Sequence, residues 1–234
     1  MNEPNDLIYG VHPVAEALKN PKRKIYSLKA SKNAADRLAE EIAARGLTPE
    51  IVHPNVLDRA LGADAVHQGL LMEAKALSQP RLDQIEKSGI VVMLDQVTDR
   101  PNVRTILRTC AALNVPALLA TARHSPEASA VLFKSASGAY EHVPFVKVTN
   151  LSRAMAELKD YGFRIAGLDS EAPDDIAGID RTPPIAIVLG AEGKGLRQLT
   201  RDSCDHLVRL DMNGPIKSLN VSNACAISLY ALTR

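Results

Sequence analysis

Tryptophan is absent from this 234-residue chain, and five tyrosines with three phenylalanines bring the aromatic residues to only 3%. That scarcity argues against recognition of splayed bases by rows of stacking platforms. Cysteine is sparse and odd in number: Cys110, Cys204 and Cys225 lie far apart and make no CxxC pair. A disulfide framework and a zinc site are therefore not expected, and neither is any other metal. No apolar run approaches the roughly 20 residues that a membrane helix needs. The opening residues, MNEPNDLIYG, are acidic and polar, without the basic start and apolar stretch of a signal peptide. The expectation is a cytoplasmic protein with no membrane attachment. Excess charge is lacking as well, since 28 Lys and Arg balance 27 Asp and Glu to a net charge of +1. A nucleic-acid binder of this composition must gather its positive charge on one face.

What is present is a hydrophobic content of 46%, enough for real cores, on a chain long enough for two domains. Residues 1–76 read as a small α/β domain. Helices are expected at 11–18 and 34–44, the second stopped by Gly46, and strands at 24–29, 50–53 and 69–74. The polar stretch 77–88, with a proline, suits a linker followed by a short helix. From residue 89 the rhythm changes. Continuous apolar runs at 90–94, 117–120, 163–168, 185–189 and 207–210 suit strands buried on both faces, alternating with helices at 102–113, 127–135 and 151–161. Residues 89–234 thus predict a mostly parallel sheet covered on both faces. In such sheets ligands sit outside the carboxyl ends of the strands, so chemistry belongs just after these runs.

Three segments stand there. In LDQVTDRPN, leading into a helix, Asn102 sits near the helix start and Arg108 follows six residues later. That spacing does not put both side chains on one helix face. Read alone, Asn102 is a cap and Arg108 a solvated charge. The second segment, IVLGAEGKGL, runs a strand into a glycine-rich turn that lets a ligand approach the backbone. It matches neither GxGxxG nor GxxxxGK[ST], and Glu192 at its tip opposes a phosphate. A neutral or cationic ligand fits better, S-adenosylmethionine with its sulfonium and ammonium groups being one. The third, GPIKSLNVSNA, enters an apolar helix that Ser218 is expected to cap, with Asn220 adding an amide at its mouth. Outside these segments, Lys22, Arg23 and Lys24, followed by Lys29, Lys32 and Arg37, form the one visible basic cluster, read either as a solvated loop or as an RNA contact. The six histidines form no visible site.

Together, DQVTDRPNVRTILRT, IVLGAEGKGL and SLNVSNA resemble, in order and position, the SpoU (TrmH) family of RNA ribose 2′-O-methyltransferases within the SPOUT superfamily. IYGVHPVAEAL and AVHQGLL resemble that family's small substrate-binding domain, so the likeness spans nearly the whole chain. Among members it is most similar to the bacterial enzymes acting on a guanosine of 23S rRNA. The resemblance implies an α/β fold whose parallel-sheet methyltransferase domain carries a C-terminal trefoil knot, and a homodimer with each active site near the subunit interface. It implies S-adenosylmethionine as cofactor, touching Gly190, Leu210 and Leu219, and structured RNA as partner, rRNA before tRNA. It implies functional roles for Asn102, Arg108, Glu192, Ser218 and Asn220; separately, the basic cluster carries the expectation that Lys22, Arg23 and Lys24 contribute RNA affinity. A guanidinium stays charged in proteins, so Arg108 is expected to bind the adjacent phosphate and favour a developing alkoxide. The chain departs from the family pattern at Arg104, where a glycine is usual, at Leu113-Asn114 in place of Phe-Gly, and at Lys217, where a small residue is common. Arg104 and Lys217 can contact RNA phosphate, narrow the substrate range or impair cofactor binding. The alternatives are the same chemistry on tRNA, or a non-catalytic RNA-binding or ribosome-assembly protein of this fold.

Overall fold

Alternating apolar and polar residues in the first third of the chain, and unbroken apolar runs beyond it, build two separate sheets. The structure is a computed structural model that describes residues 5–62, 64–121, 138–182, 184–216 and 218–234. It divides at residue 78 into two units, with residues 138–142 grouped with the first. The helix expected at 127–135 lies outside the described residues.

In the first unit, β1 (Asn5–Tyr9), β4 (Leu70–Lys75), β2 (Ile25–Ala30) and β3 (Glu50–Ile51) form a sheet in that spatial order. β4 runs antiparallel to both neighbours, with Met72 opposite Ile8 on one side and Leu28 on the other. Helices α1 (Val11–Lys19), α2 (Lys32–Arg37), α3 (Ala39–Ala44) and α4 (Pro54–Leu61) accompany it. Val14, Leu18, Leu28, Ile42, Leu70 and Met72 pack into one core. The single helix expected at 34–44 is broken at Leu38, whose φ of −113° and ψ of 23° leave the helical region. Ala34, Leu38 and Ile42 are all buried. Residues spaced by four drift about 40° per step around a straight helix, so the break keeps all three on the core.

The second unit holds a seven-stranded sheet among the described residues, all of its pairings parallel. Its order is β7 (Phe145–Val148), β6 (Leu118–Thr121), β5 (Ile90–Asp95), β10 (Ile185–Gly190), β8 (Arg164–Leu168), β11 (His206–Arg209) and β9 (Asp174–Asp175). The central strands are covered on both faces, which is why they read as continuous apolar runs. Four helices are described: α5 (Arg100–Ala112), α6 (Leu151–Asp160), α7 (Gln198–Ser203) and α8 (Val221–Leu232). α5 packs beside α8, and α6 beside α7. Asn150 caps α6 by accepting from the Arg153 N–H, as the sequence suggests. Part of the stretch expected to be a linker belongs to this unit. Leu82, which begins a 3-10 turn, and Ile85, which follows it, are buried with Val91, Met93 and Leu119.

From β5 the chain steps outward through β6 and β7, then returns to the other side of β5 with β8 and β10. The strand order reverses beside β5, and crevices at such points are where α/β sheets bind ligands.

Candidate active site

β10 ends on Gly190, in register with Asp95 at the end of β5. The chain then folds back on itself: Gly195 N–H donates to Ala191 O at 2.8 Å. Glycine is required at 190, because a Cβ there would lie 2.2 Å from Gly195 C and 2.4 Å from Gly195 O. At 195 the backbone takes φ +64°, a conformation that side chains with a Cβ rarely adopt. The returning strand of the turn is locked by Asp95. This fully buried carboxylate accepts from Arg197 N at 2.9 Å and Arg197 Nε at 2.7 Å, and pairs with Nη2 at 2.7 Å. Asp95 thereby fixes the turn against the neighbouring strand end.

The turn forms one wall of a cavity of about 290 Å³ at the carboxyl ends of the strands. Gly190, Leu210 and Leu219, the three residues expected to touch cofactor, all line it, as do Glu192 and Ser218. Leu168, Asp169 and Ser170, following β8, supply a further wall that the motifs did not single out. The signal was available, since 163–168 reads as a strand and ligands gather at strand ends. Among its described lining residues the cavity has two carboxylates, Asp169 and Glu192, and no lysine or arginine. The Asp169 carboxylate is engaged by Arg201.

Three of the expected polar residues meet at its rim. Glu192 Oε1 accepts from Asn102 Nδ2 at 3.0 Å, Asn220 Nδ2 at 2.5 Å and Val221 N at 3.3 Å. Asn220 Nδ2 also donates to Asn102 Oδ1 at 3.0 Å. Asn220 is the cap of α8, its Oδ1 accepting from Ser222 N and Oγ at 2.9 and 2.6 Å. The cap is therefore Asn220, not Ser218, because only Asn220 stands next to the first helical residue. Asn102 is not a cap either: Asp99 accepts from its backbone N–H at 3.0 Å, which leaves the Asn102 amide free to reach Glu192. Arg108 does not join the cluster. It is exposed on α5, with no hydrogen bond or ion pair among the described residues. Lys217 lies outside the described residues.

Arg23 departs from the expected basic cluster. It is 2% exposed, and its guanidinium pairs with Asp6 at 2.8 Å and Glu141 at 2.5 Å while donating to Lys75 O at 2.7 Å. A buried cation must be paired, and this one is fully occupied inside the first unit, so it presents nothing to RNA. Lys22 and Lys24 are exposed. Beside them the 48%-exposed Tyr26 lies 5.7 Å from Lys24 Nζ, an aromatic face that the low aromatic content had argued against.

The cysteines offer no reactive thiol near this site. Cys110 and Cys225 are buried, and burial pushes the Cys204 thiol up to about 12. Among the described residues no group of three or more His, Cys, Asp or Glu is placed to hold a metal ion.

Comparison with known proteins places both units. Residues 89–230 match the family described as SpoU rRNA Methylase, and residues 7–80 match the RNA 2′-O ribose methyltransferase substrate-binding family. The chain is 38% identical over 241 residues to the 23S rRNA (guanosine-2′-O-)-methyltransferase RlmB of Vibrio vulnificus, covering 98% of this chain and 97% of that one. Among solved structures, the SpoU methyltransferase AviRb from Streptomyces viridochromogenes, in complex with the cofactor AdoMet, is similar with a TM-score of 0.77 at 23% identity, covering 97% of this chain and 88% of that one. An rRNA methyltransferase from Sinorhizobium meliloti has a TM-score of 0.80 at 21% identity, with coverage of 98% and 87%.

Proposed function

The chain belongs to the SpoU rRNA methylase family, and from that premise we propose that it transfers a methyl group from S-adenosylmethionine to the ribose 2′-hydroxyl of a guanosine in 23S rRNA. The carrying observation is the meeting of Asn102, Glu192 and Asn220 at the rim of a cavity whose only charged lining side chains, among the described residues, are carboxylates.

The cavity fits the cofactor by size and by charge. Its volume of about 290 Å³ stands at the lower end of small-molecule sites, which span roughly 300–1,000 Å³. Backbone from the turn after Gly190, with Leu210 and Leu219, would hold the neutral parts, and the Glu192 carboxylate, the one lining carboxylate without a cationic partner among the described residues, suits a cation. The cofactor supplies an electrophilic methyl group. The protein's task is to bring the ribose hydroxyl to near-attack distance, since positioning alone removes much of such a barrier. Asn102 and Asn220, oriented by Glu192, are the amides placed to hydrogen-bond the ribose, and Ser218 lies on the adjoining wall. Arg108 binds the neighbouring phosphate, where its fixed charge also favours the developing alkoxide.

Lys22, Lys24 and Tyr26 form the RNA contact of the first unit: two phosphate partners and one ring for stacking. α8 exposes Asn223, Ile227 and Tyr230 at helical spacing, with the Arg234 guanidinium over the Tyr230 ring at its end, and this is the homodimer surface. The family's C-terminal trefoil knot is carried over to this chain as well. It is supported by the return of the chain from β11, beyond β8, to pack α8 on α5.

The decisive test is calorimetric titration with S-adenosylmethionine and S-adenosylhomocysteine, followed by mapping of methylated riboses in 23S rRNA incubated with protein and cofactor. Saturable binding and one methylated guanosine are expected. Methylation confined to tRNA would replace the substrate; no cofactor binding, with or without RNA, would replace the enzyme by a non-catalytic RNA-binding protein.

A further inference from the structure

Among the described residues, three that are not glycine take a positive φ: Gln68 at 51°, Gln96 at 59° and Asn114 at 54°. A side chain with a Cβ adopts that conformation only at a cost, so each case needs a local reason. Two have one. Gln68 Oε1 accepts from Val11 N at 2.9 Å and so holds the start of α1. Asn114 closes α5: its own N–H and that of Val115 donate to Ala111 O at 3.3 Å and Cys110 O at 2.9 Å, at a helix end where asparagine often stands in for glycine. Gln96 has neither reason. Of the five glutamines in the sequence, four use the side-chain amide within the fold. Gln68, Gln79 and Gln84 accept from Val11 N, Phe145 N and Arg81 N, and Gln198 donates to Asp202. The Gln96 amide alone makes no hydrogen bond among the described residues. It is half-buried, and its neighbours Asp95 and Val97, 0% and 4% exposed, anchor the backbone on both sides.

The position of this strained residue supplies a task. Gln96 follows Asp95, which is in register with Gly190, so it stands on the carboxyl edge of the sheet beside the start of the glycine-rich turn. The loop that it begins leads to Asn102, whose amide reaches Glu192. Backbone outliers of this kind gather where a side chain is held for a ligand. Gln96 does not line the cavity that suits the cofactor, which leaves the substrate nucleoside as the ligand at this strand end.

We propose that the Gln96 amide hydrogen-bonds the edge of the target base and so holds the nucleoside whose ribose meets Asn102 and Asn220. This rests on the reading of RNA as substrate and adds a base contact to it. A primary amide carries a donor and an acceptor side by side. The guanine edge answers with O6 as acceptor and with N1–H and the 2-amino group as donors, so two bonds form at once. An unstacked base presents that edge to a side chain. No hydrogen bond within the fold has to break first, because the Gln96 amide is engaged by none of the described residues.

The test compares the full wild-type chain with two variants. Gln96→Met keeps the side-chain length and the Cβ but has no amide, and Gln96→Gly lacks the amide and relieves the backbone. Single-turnover methylation at subsaturating RNA is measured on a 23S rRNA fragment with guanosine at the target. It is repeated on the same fragment with purine riboside there, which lacks both O6 and the 2-amino group. Thermal unfolding and calorimetric titration with S-adenosylmethionine accompany the kinetics and should differ little from wild type. On the guanosine fragment both substitutions should slow methylation by about tenfold to a hundredfold, the worth of a two-bond amide contact to a base. On the purine riboside fragment the loss should shrink to about threefold or less, since the partner groups are already gone. A purely backbone role predicts wild-type rates for Gln96→Met and wild-type or faster rates for Gln96→Gly. That result would overturn the base contact, as would equal losses on the two fragments or a loss confined to cofactor affinity. A wild-type protein that binds cofactor yet methylates no guanosine of 23S rRNA would instead overturn the substrate reading, and the base contact with it.

Discussion

Gly190→Ala adds one methyl group at the point where the glycine-rich turn crosses itself. The Cβ would lie 2.2 Å from Gly195 C, 2.4 Å from Gly195 O and 2.5 Å from Leu196 N, all of them backbone atoms that no rotamer change can move aside. Relief needs a displacement on the order of 1 Å. Leu196 is buried, and Arg197 is held by Asp95, so the returning strand of the turn cannot retreat without breaking those contacts. An extra methyl forced into a well-packed site costs typically 1–3 kcal/mol, and a backbone clash belongs near the top, about 3 kcal/mol. For a chain of this size that corresponds to a fall of roughly 6–12 °C in Tm. If the turn yields locally instead, the same energy appears as weaker cofactor binding by about 10²-fold, since 1.4 kcal/mol is tenfold. The matched control is Gly178→Ala, where a Cβ meets nothing within 4 Å and no positive φ is involved. Thermal unfolding and calorimetric titration with S-adenosylmethionine read both variants. If Gly190→Ala matched Gly178→Ala in Tm and in cofactor affinity, the account of the turn as a rigid wall would be wrong.

Arg23→Ala should destabilise the first unit by about 3–5 kcal/mol, the usual cost of orphaning a buried charge pair, whereas Lys22→Ala and Lys24→Ala should stay within about 0.5 kcal/mol and lower RNA affinity; urea unfolding and RNA titration separate the two roles. Glu192→Gln keeps an acceptor but loses the charge that holds two amides. Methylation should fall by about tenfold after allowance for solvent screening, with cofactor affinity less affected, and parallel kinetics and calorimetry check this. Burial alone would raise the Asp205 carboxyl, but the Lys159 ammonium at 2.6 Å and the Ile165 N–H at 2.8 Å outweigh it and hold the group below its ordinary range. A depressed folded value means stabilisation that is present above the unfolded value, about 3.9, and lost as pH falls through the folded one. The stability gap between wild type and Asp205→Asn should therefore be steady near neutrality and close in acid, and a gap that widened below pH of about 4 would contradict the assignment.

The parts of this fold legible in the sequence were those governed by local pattern. Runs such as residues 90–94 and 185–189 suited strands buried on both faces, and the cap-and-glycine frame of α6 needed nothing beyond Asn150 and Gly162. What escaped was decided by partners distant in the chain. Arg23 looked like surface charge because its neighbours Lys22 and Lys24 are, yet Asp6 and Glu141, the latter 118 residues away, draw it inside. Leu82 and Ile85 sat in a polar stretch that suited a linker until the second core claimed them. Asp95 stood at the end of a predicted strand, but nothing local identified Arg197, 102 residues on, as its partner.

The candidate site shows why its motifs, each ambiguous alone, gain meaning only together. Asn102, Glu192 and Asn220 are separated by 90 and 28 residues, and each begins with a structural duty. Asn220 caps α8, Glu192 tips the turn after β10, and Asn102 sits in the first turn of α5 with its N–H held by Asp99. A parallel sheet brings the ends of β5 and β10 to one edge, and capping α8 at that same edge delivers the third residue. The hydrogen bond from Val221 N to Glu192 Oε1 at 3.3 Å then ties the start of the last helix directly to the tip of the glycine-rich turn. Formation of α8 and assembly of the site are thus one event. Asn220→Ala should accordingly cost both the helix cap, about 1 kcal/mol, and the alignment of Asn102, whereas Asn220→Ser, which keeps a cap but has no amide, should restore stability and leave methylation impaired. Unfolding and single-turnover methylation measured on the pair test that coupling; recovery of both properties by the serine variant would reduce Asn220 to a cap.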